Sequence, residues 1–331
     1  MLKPKLPKRK KLNWGIAGLG NFAEHTFLPT LNLVTRAKLV SVYSRDINRA
    51  KNFLQNSPAQ KCFDNYQDFL NSGIEAVYIS SSNADHYEQV IAAAKAGKHI
   101  LCEKPLSVTS EQAREMVEVC RANKVHLTVD YVYRYHPFVQ KVKEMTEKQL
   151  LGKFLYINAN FNAHLVPGNN FRYSKEKAGG GAIRDLGTHL IDLFRYLGGE
   201  ISEISGYTDN LVYKTEVEDF ALATMKFRNG AYGNFTVSYN SKKAFNEVQI
   251  LFHNGSVKLE NMIGKRFESA KLRILIDGER PKVFRKRANR LYRLIREVNN
   301  DFLNNRQPAI TGEDGLINME LMEKLENKWT K

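Results

Sequence analysis

A chain of 331 residues, 43% hydrophobic and 26% charged, is long enough for two domains with buried cores, and its composition is neither disordered nor fibrous. Its three cysteines, Cys62, Cys102 and Cys120, form no CxxC pair, which counts against a disulfide scaffold or a zinc cluster and fits a reducing compartment. The net charge of +15 is diffuse, with six Lys/Arg in residues 1–11 and seven between Lys282 and Arg296; with no nucleic-acid motif beside them, they read as a solvated surface or an attraction for phosphorylated ligands.

Trp14 to Ala23 (WGIAGLGNFA) reads as a short buried strand running into a glycine-rich turn. Gly18 allows a tight turn, Gly20 lets the backbone approach a pyrophosphate, and Ala23 lets the next helix pack closely on the sheet. Phosphates would then meet backbone N–H groups at that helix's N-terminus. Taken alone, the same pattern occurs in loops that bind nothing. Glu24 to Leu33 continues as helix and Ala37 to Tyr43 is a second buried strand, closing a β-α-β unit. Helices follow at Asn48 to Gln55, Asp85 to Ala96 (closed by Gly97) and Ser110 to Asn123, alternating with strands at Ala76 to Ser80, Lys98 to Cys102 and Val125 to Val129. Such alternation requires right-handed crossovers and a mainly parallel, doubly wound sheet.

Beyond Tyr131 the pattern becomes hairpin-like. Strands are expected at Phe154 to Phe161, Phe220 to Phe227, Ala231 to Tyr239, Glu247 to Phe252 and Ser256 to Leu259. A strong helix, Ala182 to Tyr196, interrupts them, and a helical region begins near Asn289. The division expected is a basic tail at 1–11, a nucleotide-binding Rossmann domain at 12–131 and an α+β domain with a large, mainly antiparallel sheet at 132–331. No apolar run is long enough to span a bilayer and no signal peptide is recognisable, so a cytoplasmic protein without a membrane or nucleic-acid role is expected.

Three further segments carry chemistry. At the end of the second strand, Ser44 and Arg45 suit an adenosine 2′-phosphate and favour NADP, whereas Asp46 could serve the ribose of NAD after a one-residue shift. Glu103-Lys104-Pro105 lies just past the fourth strand, where ligands of open α/β sheets bind, and Pro105 restricts Lys104 to extended geometry. In Gly179-Gly180-Gly181 to Asp192, the i, i+4 spacing puts Asp185 and His189 on one helix face, where the pair can orient an imidazole as a proton acceptor. Metal ligation lacks a third ligand at suitable spacing.

In this order, these elements resemble the Gfo/Idh/MocA family of NAD(P)-dependent oxidoreductases over nearly the whole chain. Ala92 to Pro105 (AAAKAGKHILCEKP) is similar to the family's helix, strand and Glu-Lys-Pro segment. Tyr133 to Pro137 is similar to its Arg-x-His-Pro junction, the Gly179 to Asp192 run to its second-domain helix, and Pro308 to Gly315 to its C-terminal segment. One departure is Ser82, where the family often has Pro before the Asn that matches Asn83.

The resemblance implies that Lys104 polarises the reacting oxygen, His189 exchanges the hydroxyl proton, and Asp185 hydrogen-bonds substrate or assists that exchange. It implies cofactor contacts from Gly18, Leu19, Gly20, Asn21, Phe22, Ser44, Arg45, Ser81, Asn83, His86, Glu103, Lys104 and Arg134. Arg172, Tyr173 and Asn240 are candidate substrate contacts. The expected activity is interconversion of a secondary alcohol and a ketone on a sugar, polyol or nucleotide sugar with NADP, or with NAD, in a homodimer or homotetramer. The rival readings are reduction of a C=C or C=N bond, and a non-catalytic NAD(P)-binding regulatory protein.

Overall fold

The computed structural model describes residues 10–264 and 268–327; the expected basic tail at 1–11 lies, through residue 9, outside them. Strand β1, Leu12–Ala17, runs down the middle of a parallel sheet of order β3-β2-β1-β4-β5-β6. Its Trp14, Ile16 and Ala17 are wholly buried, as expected of a strand covered on both faces. After a π-helical turn, Ala23–Phe27, and α1, Leu28–Leu31, the chain returns as β2, Ala37–Tyr43. Asp46 caps α2, Ile47–Gln55, by accepting from the backbone N–H groups of Asn48 and Arg49. Asp46 thus has a structural role one residue beyond Arg45, and it also lines the cleft at the end of β2.

Next come β3, Lys61–Phe63, and α3, Tyr66–Leu70, elements too short to leave a periodic signature in the sequence. The domain continues through β4, Ala76–Ile79; α4, Asn83–Lys95; β5, His99–Cys102; α5, Ser110–Ala122; and β6, Leu127–Val129. The strand order reverses at β1, so a crevice opens between the ends of β2 and β4.

Helix α6, Pro137–Glu147, leads into β7, Phe154–Asn162, the centre of an eight-stranded sheet of order β14-β13-β12-β11-β7-β10-β9-β8. The short helix α7, Lys175–Ala178, and α8, Thr188–Gly198, precede β8, Ile201–Asp209; β9, Phe220–Phe227; and β10, Tyr232–Ser238. Then follow β11, Glu247–Phe252; β12, Gly255–Glu260; β13, Ala270–Ile276; and β14, Lys282–Lys286. All pairings are antiparallel except β7 with β10. Helix α8 covers one face, with Phe194 edge-on to Phe235. The opposite face carries a polar ladder in which Thr236 donates to Asn160 and Ser238 to Asn162.

The last two helices fold back onto the first sheet. In α9, Arg290–Leu303, Asn299 accepts the Trp14 indole N–H at 2.9 Å. On α10, Gly312–Asn327, a Cβ at Gly312 or Gly315 would come within 2.8 Å of Leu127 or Leu106, so helix and first domain are in direct contact. Among the described residues, no helix is long and apolar enough to cross a membrane.

Candidate active site

The turn after β1 is shaped by one glycine. Gly18 has φ +88°, and a Cβ there would lie 2.3 Å from Ser81 N, so a side chain would drive the end of β1 away from the end of β4. A Cβ at Gly20 would point into open space. The chain is helical from Asn21, leaving the turn and the first helical N–H groups at the mouth of a crevice of about 380 Å³. Leu19, Ser44, Arg45 and Ser81 line it, together with Arg49, Asp85, Phe171 and Lys177. Phe171 and Lys177 come from beyond β7, so the second sheet's domain supplies part of one wall. Arg45 pairs with Asp85 at 3.1 Å.

Further along, Phe22, Glu103, Lys104 and His189 line a smaller cavity of about 130 Å³, with Tyr133, Asn289 and Arg290. The Lys104–Pro105 bond is cis. Lys104 Nζ donates to the Asp185 carboxylate at 2.5 Å and to the Asp185 carbonyl at 2.8 Å. The other carboxylate oxygen accepts from Arg172 Nε at 3.1 Å and from the Tyr239 hydroxyl at 3.2 Å. Burial alone would raise the Asp185 carboxyl, but Lys104 and Arg172 outweigh it and hold it far below the usual range.

His189 is 9% exposed, its ring edge-on to Tyr133 at 4.9 Å, and its Nδ1 has no hydrogen-bond partner among the described residues. Burial first, then the Lys104 charge, pushes its pKa well below that of an ordinary histidine, so the imidazole is neutral at neutral pH. The expected Asp185–His189 orienting pair is absent. Residues Ile183–Gly187 form a π turn and His189 lies in the α-helix that follows, so the two residues do not share one regular helix. The carboxylate has also turned to two cations, which are stronger partners than a neutral ring.

The glycine run has a physical cause. A Cβ on Gly181 would sit 1.9 Å from the Glu218 carbonyl oxygen, and the Glu218 carboxylate accepts the N–H groups of Gly181 and Ile183. This anchors the π turn that carries Asp185.

Several expected contacts lie elsewhere. The Arg134 guanidinium is buried against Asp192 at 2.6 Å and Asp314 at 2.9 Å, so it ties α8 to α10 instead of facing the crevice. Asn83 donates to the Ala178 carbonyl, joining α4 to α7, and His86 Nδ1 lies 3.1 Å from the Pro105 carbonyl, under the Glu-Lys-Pro turn. Neither side chain lines the crevice, whereas Asn21 stands exposed at its mouth, in the first turn of the helix that follows Gly20. Tyr173 donates to Leu165 O and Asn240 to Asp219, so of the three substrate candidates only Arg172 reaches the centre. Sequence reasoning missed Tyr239, Tyr133, Glu218 and Arg290. Arg290 donates to the carbonyls of Met262 and Gly264 and stacks over Tyr133 at 4.4 Å. Among the described residues, no group of three or more His, Cys, Asp or Glu side chains could hold a metal ion.

Comparison with known proteins gives the site its context. The model for the Gfo/Idh/MocA oxidoreductase family's NAD-binding Rossmann fold matches residues 12–131, and that for the family's C-terminal domain matches residues 139–258. The trans-1,2-dihydrobenzene-1,2-diol dehydrogenase of Sus scrofa is 29% identical over 236 residues, 70% of this chain and 69% of that protein. The 1,5-anhydro-D-fructose reductase of Ensifer adhaerens is 26% identical over 307 residues, 92% of each chain. The fold matches that of the aldose-aldose oxidoreductase of Caulobacter crescentus with a TM-score of 0.88 at 22% identity, covering 96% of this chain and 97% of that one. With the two family domains matched in order over most of its length, the chain belongs to the Gfo/Idh/MocA family of NAD(P)-dependent oxidoreductases.

Proposed function

We propose that the protein interconverts a secondary alcohol and a ketone on a sugar or polyol, with NADP(H) preferred over NAD(H). The observation that carries this reading is the meeting of Lys104 and a neutral, buried His189 at one small cavity beside the nucleotide crevice. Moving hydride at an alcohol carbon must be coupled to moving a proton on its oxygen, and these two groups suit that coupling.

The crevice fits a dinucleotide. It combines the tight Gly18 turn, a helix N-terminus and the cations Arg45, Arg49 and Lys177. In this reading the Gly18–Gly20 turn holds the pyrophosphate, and Ser44 with Arg45 holds the 2′-phosphate. The bound nicotinamide supplies the hydride acceptor or donor. His189 takes the hydroxyl proton during oxidation and returns it during reduction, while the Lys104 ammonium stabilises charge on the same oxygen. Asp185, braced by Arg172 and Tyr239, fixes where that ammonium points.

A neutral base that stays neutral under mild acid shifts the pH profile. As the His189 pKa is depressed, oxidation is expected to lose rate only as pH falls below the ordinary histidine range. The polar ladder on the outer face of the second sheet is flanked by exposed Tyr207, Tyr232, Leu251 and Leu275. That mixture supports self-association through this face as a dimer or tetramer, which sedimentation would read directly.

The test is a panel of sugars, polyols and nucleotide sugars with NADP⁺ and NAD⁺, followed by nicotinamide absorbance. Turnover of at least one polyol or sugar, faster with NADP⁺, is expected. No turnover across the panel, in an enzyme that binds nucleotide, would overturn the proposed reaction.

A further inference from the structure

The Arg45–Asp85 ion pair spans the nucleotide crevice from wall to wall. Arg45 follows β2, while Asp85 stands in the first turn of α4, after β4. These strands flank β1 on opposite sides, so the 3.1 Å contact passes over the end of β1. Both side chains line the crevice. The two partners are not equally held. Asp85 is 22% exposed and the same oxygen accepts from the Ser82 hydroxyl at 2.5 Å, whereas Arg45 is 74% exposed. The carboxylate is the fixed partner and the guanidinium the movable one.

We propose that Asp85 is a specificity-determining residue for the cofactor, competing with the adenosine 2′-phosphate for the Arg45 guanidinium. The inference rests on the cofactor reading given above. A phosphate dianion offers Arg45 a stronger, bidentate partner than a carboxylate, so NADP(H) displaces Asp85. The displaced carboxylate then stands near the phosphate as a like charge, which opposes the gain. A 2′-hydroxyl meets no such repulsion and finds in Asp85 an acceptor. Arg45 and Asp85 therefore pull selectivity in opposite directions, and the preference for NADP(H) is smaller than Arg45 alone would give.

Fluorescence titration of the full chain with NADPH and NADH tests this, using wild type, Asp85→Asn, Arg45→Ala and the double variant. Asn keeps the size of Asp85 and an acceptor for Ser82. The expected result is about two- to fivefold tighter NADPH binding in D85N, the range open to one exposed ion pair. NADH binding should be unchanged or weaker, and most of the NADPH gain should vanish when Arg45 is already Ala. An Asp85→Ser variant with an unchanged unfolding midpoint should shift NADPH in the same direction. Equal shifts for both nucleotides, or weaker NADPH binding in folded D85N, would overturn the role of Asp85 and leave the cofactor reading intact. A wild-type chain that binds neither nucleotide would overturn both.

Discussion

Lys104 and Asp185 meet at 2.5 Å with side chains 11% and 17% exposed, while Arg45 and Asp85 meet at 3.1 Å with 74% and 22% exposed. Each pair joins a cation that lines the cleft system to a carboxylate. Their surroundings give them different properties. Inside, the Coulomb attraction is weakly screened and the carboxylate is braced by Arg172 and Tyr239, so the ammonium is fixed in one place. At the crevice mouth, water screens the pair and the guanidinium can be taken over by an arriving anion. A reaction centre needs preorganisation, and a recognition site needs exchangeable partners; burial decides which one a given pair provides.

The largest effect is expected at the buried pair. Lys104→Ala should lower kcat/KM by about 10²- to 10⁴-fold, the range for losing a positioned polar catalyst, and it should also destabilise the fold, because Asp185 keeps only Arg172 as a cation. Initial rates and denaturant unfolding on the same preparation measure both. Next comes Arg134→Ala. It strands Asp192, whose side chain is 1% exposed, and should cost about 3–5 kcal/mol of stability with NADPH affinity within about twofold of wild type. Lost affinity at unchanged stability would return Arg134 to the cofactor site.

Arg45→Ala is the mirror case. NADPH binding should weaken about tenfold, as for one charge-assisted phosphate contact, NADH much less, and the unfolding midpoint should stay put. A further effect is a slope with pH. Burial, with His126 beside His99 and Arg290 beside His136, holds both histidines to about 4. Each stays neutral when folded but charges near pH 6.5 when unfolded, so the unfolded chain binds more protons between those values. Stability should be level above about pH 6.5 and fall toward pH 4, read as a declining unfolding temperature.

Local backbone demands were legible in the sequence, and side-chain direction was not. The Gly18 turn could be read because a left-handed conformation pressed against β4 admits only glycine. The strands Ala37–Tyr43, Phe220–Phe227 and Glu247–Phe252 have the expected bounds, since their apolar runs end at clear turn signals. The expected helix Ala182 to Tyr196 is instead a π turn followed by α8; five residues of altered pitch are too few to change the hydrophobic pattern.

Arg134 stands in a motif beside the crevice, but its partners Asp192 and Asp314 lie 58 and 180 residues away, and only tertiary packing brings them to it. Tyr239 escaped by one position. On the alternating strand Phe235, Val237 and Tyr239 face inward, so the strand-end residue that reaches Asp185 is Tyr239, not Asn240. Arg290 enters from the last part of the chain, where nothing in the local sequence marks it as a neighbour of His189.

The most direct test of the proton-coupled hydride mechanism is His189→Ala, assayed with the best alcohol substrate and NADP⁺ alongside NADPH titration. Nucleotide affinity should stay within about twofold of wild type while turnover falls by about 10²-fold or more. Wild-type turnover in this variant, with NADPH still bound, would contradict the mechanism.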